Sequence, residues 1–159
     1  MDLVLKSPNL DRIDRAILRA VHDNGRISIQ GLSQRVGLSP SPCARRLRLL
    51  EERGIITGYR ALLDERKLGY GVSVFVSVKL DKQVDEALQT FEAAIRAYPE
   101  VVDCWLMTGT RDYLLRVATR DLADFEDFLT SRLTRVPGVA SIESAIPLRR
   151  VKAGISRGV

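Results

Sequence analysis

The chain has 159 residues, of which 45% are hydrophobic, and it carries a formal net charge of +5 with a pI near 9.6. This composition excludes an intrinsically disordered chain, and the length suffices for one domain or two small ones. Its two cysteines, Cys43 and Cys104, form neither a disulfide framework nor a zinc-binding pattern, so we expect a cytoplasmic protein. We expect neither a signal peptide nor a membrane span, because the sequence contains no apolar run long enough for one.

Positive charge is concentrated at the two ends of the chain. Residues 1–60 carry 11 Lys and Arg against 6 Asp and Glu, and residues 149–159 carry only basic charges, whereas the middle is acidic. A basic terminal segment fits a polyanion-binding protein, although ribosomal proteins, membrane-surface proteins and ordinary basic enzymes share a basic balance.

Three short helices are predicted in the first part of the chain. After a loose arm over residues 1–9, residues 10–23 have an apolar stripe at helical spacing, and Asn24-Gly25 ends that helix. Residues 28–36 form the second helix, with Ser28 as its cap. Gly37 allows a sharp turn into a third helix, which is the arrangement of a helix-turn-helix.

The third predicted helix lies within residues 38–53 and has both ends marked. Ser39 is predicted to cap it with its hydroxyl, Pro40 takes the first helical position, and Gly54 ends it. At about 100° per residue, the side chains separate into an apolar arc and a largely basic arc. The apolar arc contains Cys43, Ala44, Leu47 and Leu50, and the basic arc contains Ser41, Arg45, Arg46 and Arg48.

The basic arc predicts a DNA-binding surface. An ordinary amphipathic helix with a solvated charged face is the alternative, but the preceding short helix and the glycine-containing turn favour a recognition helix. Phosphate contacts are expected from the helix N-terminus, and contacts to phosphates or guanine edges from the arginines. The predicted DNA-binding residues are Ser39, Pro40, Ser41, Arg45, Arg46 and Arg48.

The periodicity changes after residue 70. A short strand at residues 55–60 and a connection lead to a valine-rich alternating strand at 72–80. Further strands are predicted at residues 101–107, 113–119 and 139–148, and helices at 85–97 and 122–133. The order βαββαβ is that of a ferredoxin-like fold, with both helices on one face of an antiparallel sheet. The uncovered face predicts self-association.

These elements predict an α+β protein with two domains. We expect a helix-turn-helix domain at residues 1–60, a linker at 61–70, a ferredoxin-like domain at 71–152 and a tail at 153–159.

The loop between two predicted strands, residues 109–113, is a candidate effector site. The simple interpretation is a hairpin with Gly109 in a left-handed conformation. In the functional interpretation, the N–H groups of Gly109 and Thr110 bind a carboxylate and Asp112 pairs with an ammonium, which describes a free amino acid. The predicted effector-binding residues are Gly109, Thr110, Arg111, Asp112 and Tyr113.

The sequence contains no residue set that indicates catalysis or metal binding. The single histidine, His22, is interpreted as a helix-end residue, and Phe75 and Trp105 as packing residues of the sheet. Neither cysteine has an evident histidine partner, and no phosphate-binding glycine-rich loop or metal-ligand spacing occurs. We therefore predict a protein that is not an enzyme and has no cofactor or metal.

Several stretches between residues 10 and 152 resemble the Lrp/AsnC family of transcriptional regulators, especially its leucine-responsive branch. The matching stretches are LDRIDRAIL, GRIS, LSQRVGLSPSPC, RGIITGYRALLD, DYLL and VPGV. The resemblance implies a winged-type helix-turn-helix and a ferredoxin-like effector domain that dimerises through its sheet. It further implies assembly into octamers or similar oligomers, and control by an amino acid bound near the strand-connecting loop.

The chain departs from the family pattern at two positions. Leu49 stands where many relatives carry a basic residue, which alters the expected DNA contacts. Arg111 lies beside Asp112, so the alternatives are a self-paired pocket or a differently shaped one, and the identity of the effector stays open.

We expect a homo-oligomeric regulator that binds double-stranded DNA and responds to an amino acid, acting at the nucleoid of a bacterium or archaeon. The first alternative is a nucleoid-associated protein that organises DNA without an effector. The second is an enzyme, since ferredoxin-like domains can host chemistry.

Overall fold

The computed structural model describes residues 9–152 and Gly154. The predicted N-terminal arm as far as Pro8, and the predicted tail apart from Gly154, lie outside the described residues. The chain divides into two compact units with a boundary between Leu62 and Leu63, inside the connection predicted for residues 61–70.

The first unit contains three helices: α1 (Arg12–Asp23), α2 (Ile29–Val36) and α3 (Pro40–Glu52). At the start of α1, the Asp11 carboxylate accepts a hydrogen bond from the N–H of Asp14 at 2.8 Å, and the Asp14 carboxylate accepts one from the N–H of Asp11 at 3.3 Å. This reciprocal capping satisfies backbone donors that the helix leaves unpaired. The predicted cap of α2 is confirmed, because the Ser28 hydroxyl accepts from the N–H of Gly31 at 3.1 Å.

The apolar faces of the three helices meet in one core. Its buried residues are Ile17, Leu18, Ala20, Val21, Leu32, Val36, Cys43 and Leu50. Burial of a large aliphatic side chain contributes about 1.5–3 kcal/mol relative to exposure. Helices as short as α2 are marginal alone, so this shared core is what stabilises them.

The strand predicted for residues 55–60 is wrong, since none of these residues is in a strand. The N–H groups of Ile55 and Ile56 both donate to the carbonyl oxygen of Leu50, at 3.0 and 3.2 Å, and both side chains pack against the helical core. The donors that a strand would use are therefore occupied in ending α3. Gly54 has a φ of +66°, which permits this reversal of the chain.

The second unit has the predicted order of elements, βαββαβ. Its strands are β1 (Val72–Leu80), β2 (Val101–Leu106), β3 (Tyr113–Thr119) and β4 (Val139–Ala145). Its helices are α4 (Asp85–Arg96) and α5 (Leu122–Ser131), and a 3-10 turn, Leu133–Arg135, follows α5. β4 ends at Ala145 rather than at the predicted residue 148, because its pairing with β1 ends at the pair Ala145 and Phe75.

The four strands form one antiparallel sheet in the order β2-β3-β1-β4. Val76 lies opposite Leu115 and Val78 opposite Tyr113, so their side chains share one face. The buried cluster on this face also contains Phe91 and Ile95 of α4 and Phe125 and Phe128 of α5. The prediction that both helices cover one face is thus confirmed.

The opposite face of the sheet, called the open face below, carries the residues that alternate with the buried ones. Its central members are Phe75, Ser77, Asp103, Trp105, Leu114, Arg116 and Glu143. Trp105 lies opposite Leu114, which in turn lies opposite Ser77, so these side chains form a row across three strands. Neither α4 nor α5 covers this face, and Trp105 is 44% exposed.

Candidate DNA-binding surface and effector site

The N-terminus of α3 contains two prolines. Ser39 occupies the N-cap position with an extended backbone (φ −73°, ψ 157°), and Pro40 is the first helical residue, as predicted. The predicted capping bond of the Ser39 hydroxyl is wrong, because the side chain makes no such bond. A capping side chain accepts from the second or third helical N–H, and the third helical residue is Pro42, which has none.

The exposed side of α3 carries Ser41, Arg45 and Arg48. Cys43 and Leu50 point the other way and are buried, so the division into two arcs that the spacing predicted is present except at Arg46. In the part of the chain that the structure describes, neither Arg45 nor Arg48 makes a salt bridge. Their guanidinium groups are therefore available to an external anion.

Arg46 differs from its two neighbours. Its Nη1 donates to Oδ2 of Asp11 at 2.7 Å and to Oδ1 of Asp14 at 2.8 Å. Its side chain is 30% exposed, and that of Asp14 is only 13% exposed. The structure thus places Arg46 against α1, whereas the sequence predicted it on the exposed side of the recognition helix. The two acids lie 35 and 32 residues away, so the spacing within α3 could not reveal them.

A glycine turn sets the direction in which α3 leaves α2. Gly37 ends α2 in the left-handed conformation (φ 71°, ψ 36°), and the N–H of Leu38 donates to the carbonyl oxygen of Ser33 at 3.0 Å. Residues other than glycine rarely adopt this backbone conformation. The turn predicted at Gly37 is therefore present, and it presents α3 at the surface of the unit.

The far end of α3 has a contact that the sequence analysis missed. The Tyr59 hydroxyl donates to Oε1 of Glu51 at 2.7 Å, holding the segment after the helix to its last turn. The pKa of Tyr59 is raised to about 12, mainly by partial burial and next by the neighbouring Glu51 carboxylate.

The loop between β2 and β3 closes as a hairpin. The N–H of Met107 donates to the carbonyl oxygen of Asp112 at 2.8 Å, and Gly109 has a φ of +115°. Gly109 and Thr110 are exposed, so the loop tip is open to solvent. The expected left-handed glycine is confirmed.

Asp112 is not the exposed carboxylate that the effector interpretation expects. Its residue surface is only 3% exposed, and its Oδ2 accepts from the N–H of Leu80 at 2.7 Å. Its Oδ1 accepts from the side-chain amide of Gln83. Oδ2 therefore holds the end of β1 against the start of β3, and Oδ1 binds Gln83 just after β1, so this buried carboxylate has both oxygens satisfied.

The two residues that flank Asp112 also have internal partners. Arg111 donates to Glu143 and Ser141 of β4, both at 2.8 Å, and not to Asp112, so the self-paired loop is wrong. Tyr113 is 1% exposed, and its hydroxyl donates to Oε1 of Glu92 at 3.1 Å. Burial, together with this carboxylate, raises the pKa of Tyr113.

A cleft of about 300 Å³ lies between α4 and β2, with Cys104 and Tyr113 in its wall. Burial raises the pKa of the Cys104 thiol to about 11, which disfavours the reactive thiolate. Among the described residues, no group of three or more His, Cys, Asp or Glu side chains could hold a metal ion. Within the same residues, none of the helices combines the length and the apolar character needed to cross a membrane.

Two protein-family models match the chain, one for each unit. The Lrp/AsnC ligand binding domain matches residues 73–156, and a winged helix-turn-helix DNA-binding domain matches residues 10–57.

Characterised proteins are similar over nearly the whole chain. The Bkd operon transcriptional regulator of Pseudomonas aeruginosa is 53% identical over 142 residues, covering 89% of this chain and 93% of that protein. A leucine-responsive regulatory protein of Rhizobium meliloti is 43% identical over 143 residues, covering 90% and 92%. The crystal structure of a Neisseria meningitidis transcriptional regulator in complex with L-Met superposes with a TM-score of 0.89 at 38% identity, covering 93% of this chain and 96% of that one.

Proposed function

Because the chain belongs to the Lrp/AsnC family of transcriptional regulators, we propose that it binds duplex DNA through α3 and that a free amino acid bound by the second unit changes its DNA affinity or its assembly. The observation that carries this proposal is the presence, in one chain, of a helix-turn-helix match and a ligand-binding-domain match. Such a chain combines a DNA-binding domain with an effector-binding domain. The DNA that it binds lies in the cytoplasm, at the nucleoid.

The DNA contacts are assigned to the exposed side of α3. Arg45 and Arg48 supply exposed guanidinium groups that form no salt bridge with any described residue, and these groups bind phosphates or read guanine edges in the major groove. Ser39 and Ser41, at the N-terminus of α3, supply hydroxyls that bind the DNA backbone, and Pro40 fixes the first turn of the helix. Since Pro40 and Pro42 have no N–H, these hydroxyls replace most of the backbone donors that a helix N-terminus offers to phosphate.

The effector is assigned to the loop at residues 109–113. The N–H groups of the exposed Gly109 and Thr110 bind the carboxylate of the amino acid. Asp112 supports this loop from below, and Arg111 and Tyr113 fix its two flanks through Glu143 and Glu92. A similar regulator whose structure contains L-Met makes an amino acid the first class of ligand to test.

The assembly is assigned to the open face of the sheet. A face that carries Trp105, Phe75 and Leu114 and is covered by neither α4 nor α5 is suited to packing against the same face of a second copy. We assign the resulting dimer as the unit that builds octamers or similar assemblies. A dimer also provides two copies of α3 for two half-sites.

Thermal-shift measurements with each of the twenty L-amino acids test the sensor, with the D-enantiomer of any hit as its control. A ligand that binds only the folded chain raises Tm, because it stabilises that state by RT ln(1 + [L]/Kd). The hit is then added to a binding titration with a duplex that the protein selects from a random library. Thermodynamic coupling requires that the amino acid and the duplex change each other's affinity by the same factor. Tight DNA binding with no response to any amino acid would instead identify an effector-independent, DNA-organising protein.

A further inference from the structure

We infer that Arg46 is a positioning residue: it fixes α3 to the N-terminus of α1, so that Arg45 and Arg48 face the DNA, and does not itself contact DNA. This inference rests on the proposed DNA binding of α3. It changes the role that the sequence pattern gave to the central arginine of the helix.

The contact joins two helices that are far apart in sequence. Nη1 of Arg46 lies 2.7 Å from Oδ2 of Asp11 and 2.8 Å from Oδ1 of Asp14. A single nitrogen thus bridges two carboxylates, and charge-assisted bonds of this length are among the stronger hydrogen bonds in proteins. The Asp14 side chain is 13% exposed, so this part of the cluster is largely removed from solvent.

The capping bonds of α1 orient the two carboxylates that bind Arg46. Oδ1 of Asp11 accepts from the N–H of Asp14 at 2.8 Å, and Oδ2 of Asp14 accepts from the N–H of Asp11 at 3.3 Å. Each acid therefore caps α1 with one oxygen and binds Arg46 with the other. Reciprocal capping brings two negative charges together, and a cation between them removes their repulsion. In agreement, the capping bond and Arg46 lower the pKa of Asp11, and both acids raise the pKa of Arg46.

The charge balance of this cluster argues against a phosphate contact. Two carboxylates and one guanidinium leave a net negative charge, which repels a DNA backbone. Both carboxylates bind Nη1, so a phosphate that approached Nη2 or Nε of Arg46 would still lie beside their negative charge. Arg45 and Arg48 carry no such cost, since the described part of the chain gives neither of them a salt bridge.

The position of Arg46 suits an anchor. It lies in the middle of α3, and its neighbour Arg45 lies about 100° further round the helix, on the exposed side. A bond between Arg46 and α1 therefore sets the rotation of α3 about its own axis. Fixing that rotation fixes the direction of Arg45, and a misdirected side chain loses the geometry that base reading needs.

The test uses the full chain and the duplex that the wild type selects. Its affinity is measured over a series of salt concentrations for Arg46→Met, which keeps the aliphatic stem, and for Arg45→Ala as the matched control. Each phosphate contact contributes about 0.9 to the slope of log affinity against log salt. We expect Arg45→Ala to reduce the slope by about one, and Arg46→Met to weaken binding roughly threefold to tenfold with the slope unchanged.

The acids give a second readout with the opposite sign for the two roles. If Arg46 acts through α1, the double variant Asp11→Asn/Asp14→Asn binds DNA more weakly, although it removes negative charge near the duplex. Adding Arg46→Met to it then causes no further loss. If Arg46 contacts DNA, the double variant binds more tightly, and Arg46→Met reduces both the affinity and the slope in either background.

The double variant keeps Arg46, and asparagine retains a capping oxygen, so the test holds even if Arg46→Met fails to fold. A smaller slope for Arg46→Met, or tighter binding by the double variant, would overturn the inference. Failure of the wild type to select any duplex, or to show salt-dependent binding, would overturn the proposed function instead.

Discussion

The buried carboxylate of Asp112 accepts a hydrogen bond from the backbone N–H of Leu80 at 2.7 Å, joining the start of β3 to the end of β1. The backbone contributes a second link, because the N–H of Asp112 donates to the carbonyl oxygen of Val78 at 2.9 Å. The loop at residues 109–113, to which we assign the effector, includes this junction. The shape of the loop is therefore coupled to the central strands of the sheet.

Asp112→Ala should lower both the stability of the second unit and the affinity of its effector. The substitution leaves the N–H of Leu80, a residue that is 2% exposed, without its acceptor, which costs about 1–3 kcal/mol. Chemical denaturation measures this loss. Calorimetry with the amino acid found in the thermal-shift screen should show affinity reduced about tenfold, because the loop loses its support.

Two control variants separate support from direct contact. Asp112→Asn keeps an oxygen for Leu80 and should retain most of the stability. Gln83→Ala removes the other partner of Asp112 at an exposed position. If Asp112 only supports the loop, this variant should also lower the affinity for the effector. If Asp112→Asn abolished effector binding while Gln83→Ala left it unchanged, Asp112 would be a direct ligand of the ammonium group.

Tyr113 predicts a loss of stability in alkaline solution. Its pKa in the folded chain is raised above the unfolded value of about 10 by burial and by Glu92. The contribution of this protonated phenol is thus complete below about pH 10 and is lost as the pH rises through the folded pKa. As the pH rises above the unfolded pKa, the denaturation midpoint of the wild type should decrease, and the decrease should be smaller in Tyr113→Phe.

At neutral pH, Tyr113→Phe should cost only about 0.5–1.5 kcal/mol, since the ring remains packed on Phe91 and only the bond to Glu92 is lost. Ultraviolet titration checks the assignment directly. A wild-type absorbance curve identical to that of Tyr113→Phe, apart from one phenol titrating near pH 10, would contradict it.

The sequence predicted those features that depend on neighbours close in the chain. Alternation of valines predicted β1, and the cap at Ser28 was correct because a capping serine and its donor lie within one turn. Two of the failures involve distant partners. Asp112 is buried because it binds Leu80, and Arg46 is held against α1 because it binds Asp11. Local periodicity cannot predict either contact.

The missing strand after α3 has a similar cause. Ile55 and Ile56 have high strand propensity, but their side chains fill the helical core and their N–H groups end α3 on Leu50. Ser39 failed as a cap for a local reason, the proline at the third helical position, that could have been read from the sequence.

Gly37→Ala should destabilise the first unit and weaken DNA binding. A residue with a side chain at φ +71° costs about 1–2 kcal/mol, although no neighbouring atom lies within 4 Å of the added methyl group. Gly25→Ala is the matched control, because its φ is not in the left-handed region and its new methyl makes only an ordinary contact with Tyr59 at 3.5 Å. Equal melting temperatures for the two variants would refute the role of this turn.

The open face supports a prediction about assembly. Trp105, Leu114 and Ser77 form a row across it, and the large indole is 44% exposed in the single chain. A tryptophan at the centre of an interface typically contributes at least 2 kcal/mol, so burying a lysine in its place opposes association strongly.

Trp105→Lys should therefore convert the protein to a monomer at concentrations where the wild type is a dimer or larger, measured by light scattering over a dilution series. DNA affinity should fall roughly a hundredfold or more, because two recognition helices are no longer linked. Leu122→Lys is the control, since Leu122 is 58% exposed at the start of α5, a helix that packs on the other face of the sheet, and it should leave the dimer intact. If Trp105→Lys kept the wild-type mass at every dilution, the copies would associate through a different surface.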